Sequence, residues 1–279
     1  MVEATTLPWQ KGTTNVVPNA LFEEPAEVYH GKRREYMSSH QLADFRKCPY
    51  LWQQTHAGHI VKPDRPAFAL GRAAHVLILE GRERFDAEYQ IGGGPVNPKT
   101  DKPFGSTSAR YLDWLSEQSH TVLSESDGAL IENLYRGVQR NAEARLLLNT
   151  GSAERVTRAT CHGVECQIRV DWYNPVAGFV DCKTCDDLTW FESDARRYQY
   201  IHQVAFYRMV LLASGITVHG VHIVAVEKRA PYRCGVWSID AETLRVADQE
   251  NGEALRKFAE CKANDNWPTG YEIPRVLTL

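Results

Sequence analysis

Three residues whose types can act together on phosphodiesters stand within thirteen positions of one another in the second half of this chain. Asp171 lies in Val170-Asp171-Trp172 at the end of one apolar run. After a turn at Asn174-Pro175, the run Gly178-Phe179-Val180 leads into Asp181-Cys182-Lys183-Thr184. Side chains two apart on a strand share a face. Asp181 and Lys183 are therefore expected to project together beside Asp171, with Cys182 turned away. Two carboxylates and a lysine at strand ends can hold a divalent cation, orient a water and offset phosphate charge, the equipment of metal-assisted phosphodiester hydrolysis. Taken alone, Asp-x-Lys also fits a solvated strand end with an ion pair.

The elements that must position these residues follow from periodicity. Ser38-x-x-Gln41 reads as a capping box opening a helix through Leu42 and Phe45, closed near Pro49. Residues 66 to 80 read as one strongly apolar helix carrying His75. Gly92-Gly93-Gly94 through Gly105 is a Gly/Pro/Lys-rich loop without the Lys-Ser or Lys-Thr of a phosphate-binding loop. Helices are expected over 106–119 and 125–149, the latter with Leu130, Leu134 and Val138 at four-residue spacing. Three strands follow, over 153–161, 164–172 and 178–184, joined at His162-Gly163 and Asn174-Pro175. One long helix is expected from Phe191 to Ala213, then strands over 217–227 and 234–239 and a helix over 241–261. Residues 1 to 35 read as a flexible arm and 36 to 279 as a single domain.

The composition sets limits. The chain has 279 residues, 43% hydrophobic and 24% charged, which is ordinary globular composition. No apolar run has the length of a membrane span, and no export signal opens the chain, so a cytoplasmic protein without membrane contact is expected. Seven cysteines, irregularly spaced, read as reduced thiols. The formal net charge of −3 shows no basic footprint. The basic groups Lys32-Arg33-Arg34, Arg46-Lys47, Arg196-Arg197 and Lys228-Arg229 read singly as solvated faces.

The ordered set Leu70-Gly71-Arg72-Ala73-Ala74-His75 with Leu77-Ile78-Leu79-Glu80, then Asp171, Asp181-Cys182-Lys183-Thr184, then His202-Gln203-Val204-Ala205-Phe206-Tyr207, then Asn266-Trp267-Pro268, resembles the PD-(D/E)XK nuclease superfamily. Within it the set resembles the RecB-like branch, and most closely the RecE (exonuclease VIII) type. The fold implied is α/β: a PD-(D/E)XK core whose central mixed β-sheet is flanked by helices, with an N-terminal helical elaboration. The resemblance gives His75, Asp171 and Asp181 as metal ligands and Lys183 as the residue that orients or deprotonates water. It gives Gln203 and Tyr207, four apart on one helix face, as the pair that orders the site and the DNA backbone. Glu154 stands where related proteins often carry an acidic residue, but on its own it reads as structural.

The cofactor implied is Mg²⁺, with Mn²⁺ favoured by a histidine nitrogen among the ligands. Cys161-x4-Cys166 and Cys182-x2-Cys185 resemble zinc spacings, but Cys182 must face the core, so a structural zinc is not expected. Cys48-Pro49 resembles the upstream member of an iron–sulfur ligand set. The C-terminal part supplies too few cysteines to complete it, so no cluster is expected. The activity implied is a metal-dependent exodeoxyribonuclease on linear double-stranded DNA ends, working 5′ to 3′ and leaving a 3′ single strand. The partners implied are further copies in a ring and a RecT-like single-strand annealing protein, in phage or prophage recombination. Two other readings of the same residues are a structure-directed or repair endonuclease and a catalytically silent DNA-binding module.

Overall fold

The computed structural model describes residues 20–61 and 66–278. Helix α1 (Ala26–Gly31) precedes α2 (Ser39–Lys47) and α3 (Pro49–His56). The capping box at α2 forms: the Ser38 hydroxyl accepts the Gln41 N–H, and Gln41 Oε1 accepts the Ser38 N–H at 2.9 Å. Pro49 opens α3 at a position whose N–H has no intrahelical acceptor. The apolar run forms α4 (Pro66–His75) but does not stay α-helical to residue 80: Val76–Glu80 form a π turn. Hydrogen-bond registry thus changes directly after His75, as often happens where a helix serves a site.

Next come α5 (Arg82–Glu88), β1 (Tyr89–Ile91), β2 (Val96–Asn97), β3 (Lys102–Pro103), α6 (Ala109–Ser116) and β4 (Thr121–Leu123). Strands β1 and β4 pair in parallel, and β2 pairs with β3 inside the loop expected over 92–105. The helix expected over 125–149 is two helices, α7 (Glu125–Arg140) and α8 (Ala142–Leu148). Asn141 separates them because its Oδ1 accepts the Ala144 N–H at 3.0 Å, capping α8.

The three expected strands are β5 (Ser152–Cys161), β6 (Val164–Asn174) and β7 (Gly178–Cys185). The helix expected over 191–213 breaks into α9 (Phe191–Arg197) and α10 (Tyr200–Ala213), because Gln199 adopts left-handed backbone at φ 61°. Strands β8 (Val221–Glu227) and β9 (Cys234–Ser238) and helix α11 (Ala241–Asn264) follow. The main sheet has the order β5-β6-β7-β8-β9, antiparallel throughout except for the parallel β7–β8 pair. The crossover a parallel pair needs is supplied by α9 and α10.

Alternation along β7 divides the core. Phe179 packs with Ile168, Phe206, Leu211 and Leu255 on the face covered by α10 and α11. Val180 and Cys182 pack with Ala74, Leu77, Ile131 and Leu134 on the face covered by α4 and α7. Burying each such side chain contributes about 1.5–3 kcal/mol. Residues 1–19 of the expected arm lie outside the described residues. Within residues 20–35, Leu21 and Tyr29 are buried and Phe22 pairs with Val156 at the β5 edge, while most of the others are exposed.

Candidate active site

The site sits where the sheet forks. Strand β6 pairs with β7 from Trp172 to Asn174, opposite Val180 to Gly178, and there the ladder stops. Strand β7 goes on pairing with β8 as far as Cys185. Asp171 and Asp181 are the first residues past the last β6–β7 pair, one on each tine. In place of a ladder bond, the Cys182 N–H donates to Asp171 Oδ2 at 2.7 Å. The bond fixes the Asp171 carboxylate in the mouth of the fork.

Asp181 and Lys183 share a face, as period two demands, with Lys183 Nζ 2.5 Å from Asp181 Oδ2. Asp181 is 1% exposed, and the Lys183 ammonium is the charge that offsets its buried carboxylate. Its other oxygen, Oδ1, accepts a hydrogen bond from Gln203 Nε2 at 3.1 Å. Gln203 Nε2 also donates to Tyr207 Oη at 3.2 Å. The fork face of α10 thus reads Gln203 and Tyr207, one turn apart, as expected. Tyr200, one turn earlier, belongs to the same face: Lys183 Nζ lies 4.9 Å from its ring centre. Sequence reasoning missed Tyr200, although the spacing Tyr200, Gln203, Tyr207 was there to find.

His75 comes from the other side of the fork, at the end of α4, with Nδ1 3.9 Å from Asp171 Oδ2. Glu154 completes this side. It stands opposite Asp171 between the pairs Ala153↔Trp172 and Arg155↔Val170, and its left-handed φ of 54° interrupts the β5–β6 ladder. Such backbone in a residue with a side chain costs about 1–3 kcal/mol and concentrates at functional sites. The trio His75, Glu154 and Asp171 offers ligand atoms that all lie within 4.8 Å of one another. On the sequence alone Glu154 reads as structural; the structure places its carboxylate beside His75 and Asp171. Arg169 Nε lies 2.5 Å from Glu154 Oε2. Beyond the family resemblance no local pattern marked Glu154, because its placement depends on the register of β5 against β6.

The electrostatics are those of crowded carboxylates. Burial, opposed by Lys183 and reinforced by Asp171, pushes the Asp181 carboxyl up to about 6. Burial and the neighbouring Asp171 push Glu154 up to about 8 against the pull of Arg169. For Lys183, burial works to lower the pKa, but Asp181 and Asp171 outweigh it and hold the ammonium above its usual range. Lys183 is therefore a cation in the metal-free fork. Burial raises the Tyr207 phenol well above its usual range, so it stays protonated. His75, Glu154 and Asp171 together make a donor set suited to a divalent cation, while Asp181 stands outside that trio against Lys183.

Asp171, His75, Glu154 and Tyr207 line a cleft of about 1420 Å³. Its walls carry five arginines, Arg33, Arg72, Arg84, Arg155 and Arg169, and seven acidic residues, so the cleft sets cations beside the fork without being basic as a whole. Cys182 lies on the opposite face of β7, buried in the core. Among the described residues, no helix is long and apolar enough to cross a membrane.

No curated protein matches the chain. A solved structure from Eubacterium rectale that carries an exonuclease assignment shares the fold: the TM-score is 0.66 over 92% of this chain and 96% of that one, at 14% identity. LHK-Exo in complex with dAMP aligns over 69% of this chain and 90% of its own at 15% identity, with a TM-score of 0.25, too low to carry an argument. Residues 38–273 match the family described as a PDDEXK-like domain of unknown function (DUF3799). With that match spanning most of the chain, and with a forked mixed sheet presenting Asp171, Asp181 and Lys183, the chain belongs to the PDDEXK-like domain family.

Proposed function

We propose that this protein is a divalent-metal-dependent exodeoxyribonuclease acting on the ends of linear double-stranded DNA. The observation that carries the reading is the fork, where Asp171, Asp181, His75 and Lys183 converge, with Asp171, His75 and Glu154 on the wall of an open cleft. His75, Asp171 and Asp181, joined by Glu154, would hold the cation, either Mg²⁺ or, given the imidazole, Mn²⁺. The bound cation would neutralise phosphate charge and acidify water. Lys183 supplies a fixed positive charge for the negative charge that builds up on the phosphate, a role preorganised by its contact with Asp181. Gln203 holds Asp181 in place and ties it to Tyr207.

The finer reading follows the RecE-like resemblance of the motifs. It comprises 5′ to 3′ digestion leaving a 3′ single strand, a ring of identical subunits around the duplex, and hand-over to a RecT-like annealing protein in phage or prophage recombination inside the bacterial cytoplasm. A ring would let positive charge face a channel while the outer surface stays acidic.

The test is digestion of end-labelled linear duplex DNA with and without Mg²⁺ or Mn²⁺, beside a covalently closed circle. Loss of the linear DNA from its 5′ ends, with the circle intact, is the expected result. Cutting of the circle replaces the exonuclease with an endonuclease at the same site. No cleavage with either metal leaves a binding module.

A further inference from the structure

The α9–α10 junction is built for something the metal site does not use. Of the four basic groups in the sequence, three have a member engaged within the fold. Lys32 pairs with Glu24, Arg46 bonds to Asn251 and Gln199, and Lys228 pairs with Asp186. Arg196 and Arg197, at the end of α9, form no ion pair with any described residue. Instead the Arg197 guanidinium lies 5.5 Å from the ring centre of Tyr198, which is 55% exposed.

Residues two apart on a helix point to different sides, so an unbroken helix would separate Tyr198 from Tyr200. The left-handed Gln199 between them brings the two rings to 5.9 Å, tilted by 32°. That conformation is held from outside. Arg46 Nη2 donates to Gln199 Oε1 at 2.6 Å, and Arg46 Nη1 donates to Asn251 Oδ1 at 2.9 Å. Asn251 Nδ2 in turn donates to the His202 carbonyl at 2.8 Å, inside the first turn of α10. The result is a short, rigid series from the site outward: Lys183, Tyr200, Tyr198, Arg197.

We propose that Tyr198 and Arg197 form a stacking platform for an unpaired nucleobase of the DNA strand whose phosphodiester lies at Lys183. The proposal rests on the nuclease reading and specifies its substrate further: a strand locally unpaired beside the site. Aromatic rings backed by unneutralised arginines bind single strands with little sequence preference, since every base has a π-face and every nucleotide a phosphate. Tyr200 is occupied by Lys183 and Phe191, whose ring is 6.1 Å away, and so fixes the platform's inner end. Tyr198 is the ring left open to a ligand.

The experiment uses the full-length protein in Ca²⁺ with a short single-stranded DNA carrying 5-iododeoxyuridine. Ultraviolet cross-links are mapped by mass spectrometry, and affinity is read by fluorescence anisotropy. Cross-linking at Tyr198 is expected. Affinity should fall about 5- to 100-fold in Tyr198→Ala and stay near wild type in Tyr198→Phe, which keeps the ring. Equal affinity in Tyr198→Ala and wild type, with cross-links elsewhere, overturns the platform. The nuclease reading is judged separately, by whether the wild type cleaves DNA with Mg²⁺ or Mn²⁺. A wild type that neither binds nor cleaves DNA ends both. Because Tyr198 is exposed, both variants should keep the wild-type melting temperature; if the alanine variant does not, the cross-link map and the phenylalanine variant decide.

Discussion

Under the proposed function, one side chain, Lys183, would be both necessary for turnover and unfavourable for the metal. Its ammonium offsets the buried Asp181 carboxylate, which a bound cation would have to share with it. Removing it takes away the charge that would stabilise the transition state, but also a repulsion against the incoming cation. Lys183→Ala is therefore expected to lower kcat about 10²- to 10³-fold while Mn²⁺ binds more tightly, read by calorimetry on the same preparation. Weaker metal binding in that variant would mean that Lys183 builds the site and does not act on substrate. Arginine should not restore turnover, because a planar fork does not fit a place shaped for a point charge. Asp181, Lys183, Gln203 and Tyr207 were legible in the sequence because each lies within one element, where period two or period 3.6 states which residues share a face. Glu154 was not, since its neighbours come from pairing two strands and from a left-handed residue that no local pattern marks.

Elements matter here through how strands are started and stopped. Strand β7 begins at Gly178, whose φ of 109° and close approach to Gly220 leave no room for a side chain: an added Cβ would lie 1.9 Å from the Gly220 carbonyl oxygen. Gly163, in the turn between β5 and β6, also has positive φ, at 78°, but faces open space. The pair separates backbone strain from steric exclusion. Gly163→Ala should cost about 1–2 kcal/mol in urea unfolding. Gly178→Ala should cost more than that, adding overpacking of about 1–3 kcal/mol, and should also reduce turnover, because β7 carries both Asp181 and Lys183. Similar costs for the two would show that β8 yields easily and that the fork does not depend on this contact. The order of strands and helices was readable from alternation and turn residues. The π turn after His75, the break at Gln199 and the short β1–β4 pair were not. Each is set by a tertiary demand, namely aiming His75, joining Tyr198 to Tyr200 through Arg46, or covering α7, and helical propensity carries no trace of it.

For the molecule as a whole, the carboxylates of the fork are a source of instability that a cation would remove. Asp181 and Glu154 both hold their protons more tightly when folded than when unfolded, up to about 6 and about 8 respectively, chiefly through burial. Where the folded state binds more protons than the unfolded one, stability falls as pH rises. The contribution of Asp181 to metal-free stability is thus lost as pH rises from its ordinary value near 3.8 to about 6. That of Glu154 is lost between 4.5 and about 8. Above pH 8 both carboxylates are charged at the stability cost of keeping them close and buried. In EDTA, melting temperature should therefore decline across this range more steeply for wild type than for Asp181→Asn or Glu154→Gln, which carry no proton to lose. Mn²⁺ should act with the opposite slope, raising the melting temperature more at pH 8 than at pH 5, since it replaces protons on these groups. At a hundred times its Kd it adds about 2.7 kcal/mol, equivalent to about 5 °C for a chain of this size. A metal-induced rise of equal size at pH 5 and pH 8 would place the bound cation away from Asp181 and Glu154, and the fork would then have to work without it.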